Sequence, residues 1–150
     1  MRSFPGAVLS RIEAAIRQSE TQHRGELVFA VEPALDLADL WHGRTAAQRA
    51  VEAFADLHVW DTEENNGVLV YLLLADRDVE IVADRGVHAR VGADGWEVIC
   101  RRMEAAFRDG RFEAGVVQGL AEISAVLIRE YPATGAPNPN ERPDRPVVLG

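Results

Sequence analysis

The sequence predicts an α/β domain: a small mixed sheet, including a β-hairpin, with helices packed on it. Three observations carry this. "GVLVYLLLA" (67–75) is the most apolar run in the chain, and at that length it reads as a central strand covered on both faces. "VEIVAD" (79–84) follows a short polar turn, "ADRD", and alternates Val79, Ile81 and Ala83 on one face, which makes the pair an antiparallel hairpin. The segments around them repeat apolar residues at helical spacing, so the element order is α-β-α-β-β-α-α.

The elements follow in order. Val8, Leu9, Ile12, Ala15, Ile16 and Ser19 share one helical face, with Ser3 as a cap, Pro5 in the first turn and Gly25 as the stop. "ELVFAV" (26–31) is a strand ended by Pro33. Thr45 and Gln48 fit a capping box for a helix that buries Ala47, Ala50, Val51, Phe54 and Leu57. Asp94, with Glu97 three residues on, opens a helix whose stripe is Trp96, Ile99, Cys100, Met103 and Phe107, ended by Gly110. Phe112, Val116, Leu120, Ile123, Leu127 and Tyr131 define the last helix. Five of the seven prolines lie in the final nineteen residues, so the domain spans 1–131 and 132–150 is an extended proline-rich tail.

Composition excludes several function classes. A net charge of −8, with 24 acids against 16 bases, lacks the basic face that nucleic acid requires. A single cysteine, Cys100, excludes an intrachain disulfide and any multi-cysteine zinc site. The first twenty residues have no long apolar core, which argues against a signal peptide or membrane insertion and makes the cytoplasm the simplest location. Gly-rich phosphate loops, "GxSxG" and "HExxH" are absent.

The functional signal is "DTEENNG" (61–67) at the mouth of the central strand. With a hairpin turn centred near Arg77, Asn66 falls opposite His88 and Val70 opposite Asp84. Three loops then converge, carrying Asp61, Glu63, Glu64, Asn65, Asn66, Asp84, Arg85, His88 and Asp94. Carboxylate and amide oxygens at that density suit calcium or magnesium. A helix start there would favour an anion instead, with Arg85 to hold it. Asn and Gly also build tight turns without any ligand. An EF-hand is excluded, because its sixth position is Asn66 rather than glycine and its twelfth is Leu72 rather than glutamate.

"NNGVLVYLLLADRDVEIVADRGVHARVGADGWEVI" together with "FRDGRFEAGVVQGL" resembles the TPM domain over roughly residues 4–131. The marks are the Asn-Gly before the central strand, the arginine in the hairpin turn, the Gly86 loop, the Asp94 helix start and "FRDGRFEAG". The resemblance implies an αβα sandwich with helices on both faces. Its members are described as acid phosphatases, as divalent-cation binders, and as partners in the assembly or repair of membrane complexes. One position departs: the family commonly has Asp-Asn-Gly where this chain has Asn65-Asn66-Gly67. The missing carboxylate weakens a cation site and removes an ionised group from phosphoryl chemistry. Typical members also carry a signal peptide and a membrane anchor, and neither is expected here.

The leading expectation is a non-catalytic binding module that takes a divalent cation or a protein partner at the Asn65, Gly86 and Asp94 edge. Its metal ligands are Glu64, Asn65, Asn66, Asp84 and Asp94. One alternative is a metal-dependent acid phosphatase using Asp84, Arg85, His88 and Asp94. A further alternative is a scaffold that docks through its tail. Cys100 reads as core rather than nucleophile, His23, His42 and His58 as surface or cap residues without metal spacing, and Trp41 and Trp60 as packing or partner-facing residues beside loops.

Overall fold

The computed structural model of the protein describes residues 3–134 and 144–150. The helices are α1 (Gly6–Ser19), α2 (Leu37–Trp41), α3 (Ala46–Asp56), α4 (Arg85–Val91), α5 (Ala93–Arg108) and α6 (Phe112–Glu130). The strands β1 (Glu26–Glu32), β2 (Gly67–Leu73), β3 (Asp78–Ala83) and β4 (Val147–Val148) form one sheet in the order β3-β2-β1-β4. β1 pairs parallel with β2 and β4, and β2 pairs antiparallel with β3.

Every residue of β1 and β2 is buried, as strands covered on both faces require. Alternation then divides the core. Leu27, Phe29 and Val31, with Val68, Val70 and Leu72, face α1, α5 and α6. Val28 and Ala30, with Leu69, Tyr71 and Leu73, face the alanines of α3. The expected αβα sandwich is the fold. On the α3 side, Glu32 accepts from Arg49 Nε at 2.9 Å and from the Tyr71 hydroxyl at 2.6 Å. This ties the helix to the ends of both central strands.

Several local expectations change. Pro5, not Ser3, is the N-cap of α1, and the helix stops at Ser19, well before Gly25. The Thr45–Gln48 capping box is present, which starts α3 one residue before the expected stripe. Ala46, Ala50 and Ala53 therefore face the sheet, Phe54 and Leu57 pack at its margin, and Ala47 and Val51 are exposed. Gly92 precedes α5 without any side-chain cap, so Asp94 and Glu97 form no capping box; the stripe from Trp96 to Phe107 is buried as expected.

The hairpin closes through a 3-10 turn at Leu74–Asp76, with Arg77 in the left-handed region at φ 51°. The pairing shifts by three residues from a turn centred on Arg77. Val70 lies opposite Ile81, and Asp84 rather than His88 reaches the strand mouth. The tail also returns to the sheet. Val147 and Val148 pair with Ala30 and Val31, Leu149 N–H donates to the Val31 carbonyl at 2.9 Å, and buried Asp144 lies 3.6 Å from Arg17. Pro146 lacks an N–H and stands just before this short edge strand, where proline is tolerated. The stretch 135–143 of the tail lies outside the described residues.

Candidate functional site

The strand mouth is built by two glycines. A Cβ at Gly67 would stand 2.1 Å from the Val59 carbonyl oxygen, so the chain entering β2 passes too close to the end of the α3 loop for any side chain. A Cβ at Gly86 would meet the Asn65 carbonyl oxygen at 2.7 Å and the Glu64 carbonyl oxygen at 3.0 Å. Gly86 thus lets the first turn of α4 pack onto the Glu64-Asn65 backbone. Two bonds lock the contact: Gly86 N–H donates to the Asn65 carbonyl at 3.1 Å, and Asp84 N–H to the Gly67 carbonyl at 2.9 Å. Of the three segments expected to converge, "DTEENNG" and "DRGVH" meet here, and "DRGVH" is a helix start rather than a loop.

Within this contact two side chains are deeply engaged. Asn66 is 1% exposed; its N–H donates to Thr62 Oγ1 at 3.1 Å and its Nδ2 to the Arg24 carbonyl at 2.8 Å. Asp84 caps α4, with Oδ1 accepting from Arg85 N–H at 2.7 Å. Each has one buried oxygen left over: Asn66 Oδ1 and Asp84 Oδ2 have no hydrogen-bond partner. A buried acceptor without a donor costs on the order of 1–3 kcal/mol, a cost that either a water molecule or a cation relieves.

The other expected ligands are placed differently. Asn65 is exposed, held in the left-handed region at φ 52°, and only its carbonyl joins the contact. Glu64 is engaged by Arg24 Nη1 at 2.5 Å, so a cation would reach this carboxylate only by exchange. Asp94 and Arg85 are exposed and make no side-chain hydrogen bond or ion pair among the described residues. His88 is exposed and lines a groove between β3 and α5. Among the described residues, no three His, Cys, Asp or Glu side chains group so as to hold a metal ion. The oxygens on offer are therefore one amide, one carboxylate and neighbouring backbone carbonyls. These are hard donors, the type that calcium and magnesium take.

Sequence reasoning missed the arginines and the tyrosine beside this edge. Arg24 and Arg90 lie over the Tyr131 ring, 5.7 and 4.3 Å from its centroid. The Tyr131 hydroxyl lies 3.0 Å from where a Gly86 Cβ would be, and burial pushes its phenol upward. Tyr131 showed only as the last member of an apolar stripe, and nothing in its spacing signals Arg24.

The remaining titratable candidates are structural. His23 is buried rather than at the surface. Its Nδ1 accepts from Gly25 N–H at 3.1 Å, so the proton sits on Nε2 and is donated to Ser19 Oγ at 2.7 Å. Ser19 in turn meets Ser124 Oγ, which donates to the Leu120 carbonyl at 2.7 Å. A histidine that donates to the serine cannot be its base, so the trio is a core network rather than a nucleophile. Burial pushes the Cys100 thiol up to about 12, as for a cysteine in the core.

With the strand-mouth geometry in view, the comparisons decide the family. The TPM domain profile matches residues 4–126. This chain belongs to the TPM domain family. The TPM fold here superposes on BA42 from the psychrophilic bacterium Bizionia argentinensis with a TM-score of 0.84, at 24% identity, covering 97% of this chain and 94% of that one. It also superposes on the N-terminal domain of a P. gingivalis protein with a TM-score of 0.69, at 18% identity, over 88% and 82% of the two chains. At these identities the likeness concerns the fold. No curated protein sequence matches this TPM domain. No helix among its described residues is long and apolar enough to cross a membrane.

Proposed function

We propose that this TPM domain is a binding module whose ligand is a divalent cation at the mouth of β2, held between the Asn65-Asn66-Gly67 segment and the first turn of α4. The observation that carries the reading is the pair of partnerless buried oxygens, Asn66 Oδ1 and Asp84 Oδ2, on segments joined by two backbone bonds. A hard cation satisfies acceptors in a way that a neutral partner without donors cannot. Asn66 and Asp84 would be the protein ligands, and water would complete the shell. Asp94 and Glu64 would act through their charge, Glu64 only after leaving Arg24. With one uncommitted carboxylate in the core of the site, binding is weak, in the range of sites that respond to millimolar cation.

The test is a titration of isotopically labelled protein with calcium and then magnesium, read on backbone amides. Saturable shifts centred on residues 65–67 and 84–86 support the reading. A spectrum unchanged at millimolar cation removes it and leaves those oxygens as polar groups of a turn.

A further inference from the structure

Arg24 stands between α1 and β1, and its backbone is pinned on both sides. Its N–H donates to the Tyr131 carbonyl at 2.8 Å, and its carbonyl accepts from Asn66 Nδ2 at 2.8 Å. Its guanidinium lies over the Tyr131 ring, Nε donates to the Pro132 carbonyl at 3.1 Å, and Nη1 holds Glu64 Oε1. The arginine is thus fixed to the residues that end α6 by contacts that do not involve Glu64.

Glu64 is held less firmly. Its Oε1 lies on Arg24, and its Oε2 is 3.5 Å from Asn66 Nδ2, at the limit of a hydrogen bond. The carboxylate therefore rests against the same amide group whose Oδ1 is left without a donor. The pair is open to water, with the Arg24 side chain 32% and the Glu64 side chain 46% exposed. An ion pair that exposed adds little to stability, so the fold does not depend on its staying closed. A divalent ion also offers the carboxylate twice the charge of a guanidinium.

Resting on the cation proposed at the strand mouth, we infer that Arg24 is an internal competitor for that site. It holds Glu64 until a divalent cation enters, and the carboxylate then passes from guanidinium to ion while Arg24 stays on Tyr131 and Pro132. The apparent affinity for the ion is lowered by the fraction of time that Glu64 spends on Arg24, so this one arginine sets how much cation the site requires. Arg24 is a positioning residue: it touches the Glu64 carboxylate and the Asn66 amide, and it acts on the ion through them.

The test is calcium binding to the full-length protein, read by calorimetry and by NMR of the backbone amides and the Arg24 guanidinium. In the native protein the Arg24 Nε signal is expected to move with the same saturation as the amides of residues 65–67. Arg24→Gln is expected to tighten calcium by about tenfold. In a Glu64→Gln background most of that gain is expected to disappear, because no carboxylate remains to be released. An Arg24 signal that stays still while the amides saturate overturns the inference and leaves the proposed cation site standing. So does native affinity in Arg24→Gln, or a gain undiminished without Glu64, which is the mark of plain charge repulsion. No response in either the native protein or Arg24→Gln removes the proposed cation site and the inference with it.

Discussion

Asn65 occupies an exposed left-handed position one residue before the buried Asn66, at the place where the TPM resemblance implies aspartate. Asparagine and aspartate both tolerate that backbone conformation, so the exchange alters charge and leaves the turn intact. A carboxylate at about 4 Å from a divalent ion gains on the order of 2 kcal/mol even at the dielectric of water. Asn65→Asp is therefore expected to tighten calcium by about thirtyfold, measured by calorimetry, with the thermal midpoint of the apoprotein unchanged. Equal affinity in the two proteins would place the cation out of reach of position 65. The residue types at this edge were legible from "NNG" and "DRG", but their roles were not. Asn66 is held in place by its Thr62 and Arg24 partners, and Gly67 is required by Val59; both are contacts across the fold that local spacing does not encode.

At the scale of elements, α3 is the helix that seals the second face of the sheet, and its interface is made of alanines. So little apolar bulk leaves the polar anchor important. Arg49 reaches Glu32 with two nitrogens, at 2.9 and 3.3 Å, and Tyr71 adds a third bond to the same carboxylate. Arg49→Met would leave that buried carboxylate without its guanidinium, and a loss of about 3–5 kcal/mol in urea denaturation is expected. A loss below about 1 kcal/mol would show that the helix is held by the alanines alone. Existence and type of the long elements were legible because their periodicity is strong: the α5 stripe is buried residue for residue. Register was not. A 3-10 turn consumed residues that a tight turn on Arg77 would have left in the strands, and this moved His88 from the strand mouth to the neighbouring groove. Helix α4 was hidden in the sequence because its seven residues are too few to show a period.

For the whole molecule, the layered fold could be read from element order, whereas the return of the chain end could not. β4 is two residues long and is defined by its pairing with β1, a long-range contact with no local signature. The core also sets how stability responds to pH. Burial pushes the His23 imidazole down to about 4, so the folded ring refuses a proton that the unfolded chain accepts below the usual 6.5. Its contribution is complete above pH 6.5 and is lost as pH falls toward 4. Glu20 acts in the opposite sense. Burial, then its hydrogen bond to Asp144 and the charge of Glu26, push it up to about 11, so its contribution is complete below pH 4.5 and declines as pH rises. Comparison with His23→Gln separates the two. The stability advantage of the native protein over the variant is expected to shrink by about 3 kcal/mol between pH 6.5 and 4. A constant difference would mean that His23 takes up its proton as readily in the fold as in the unfolded chain.

The proposed cation at the mouth of β2 depends on Asn66 and Asp84. The most direct measurement is the calcium titration of the labelled protein beside Asp84→Asn, which retains an oxygen to cap α4 and removes only the charge. Saturable amide shifts at residues 65–67 and 84–86 are expected in the native protein, with their loss in a folded Asp84→Asn. Identical titrations of the two proteins, or no response in either, would contradict it.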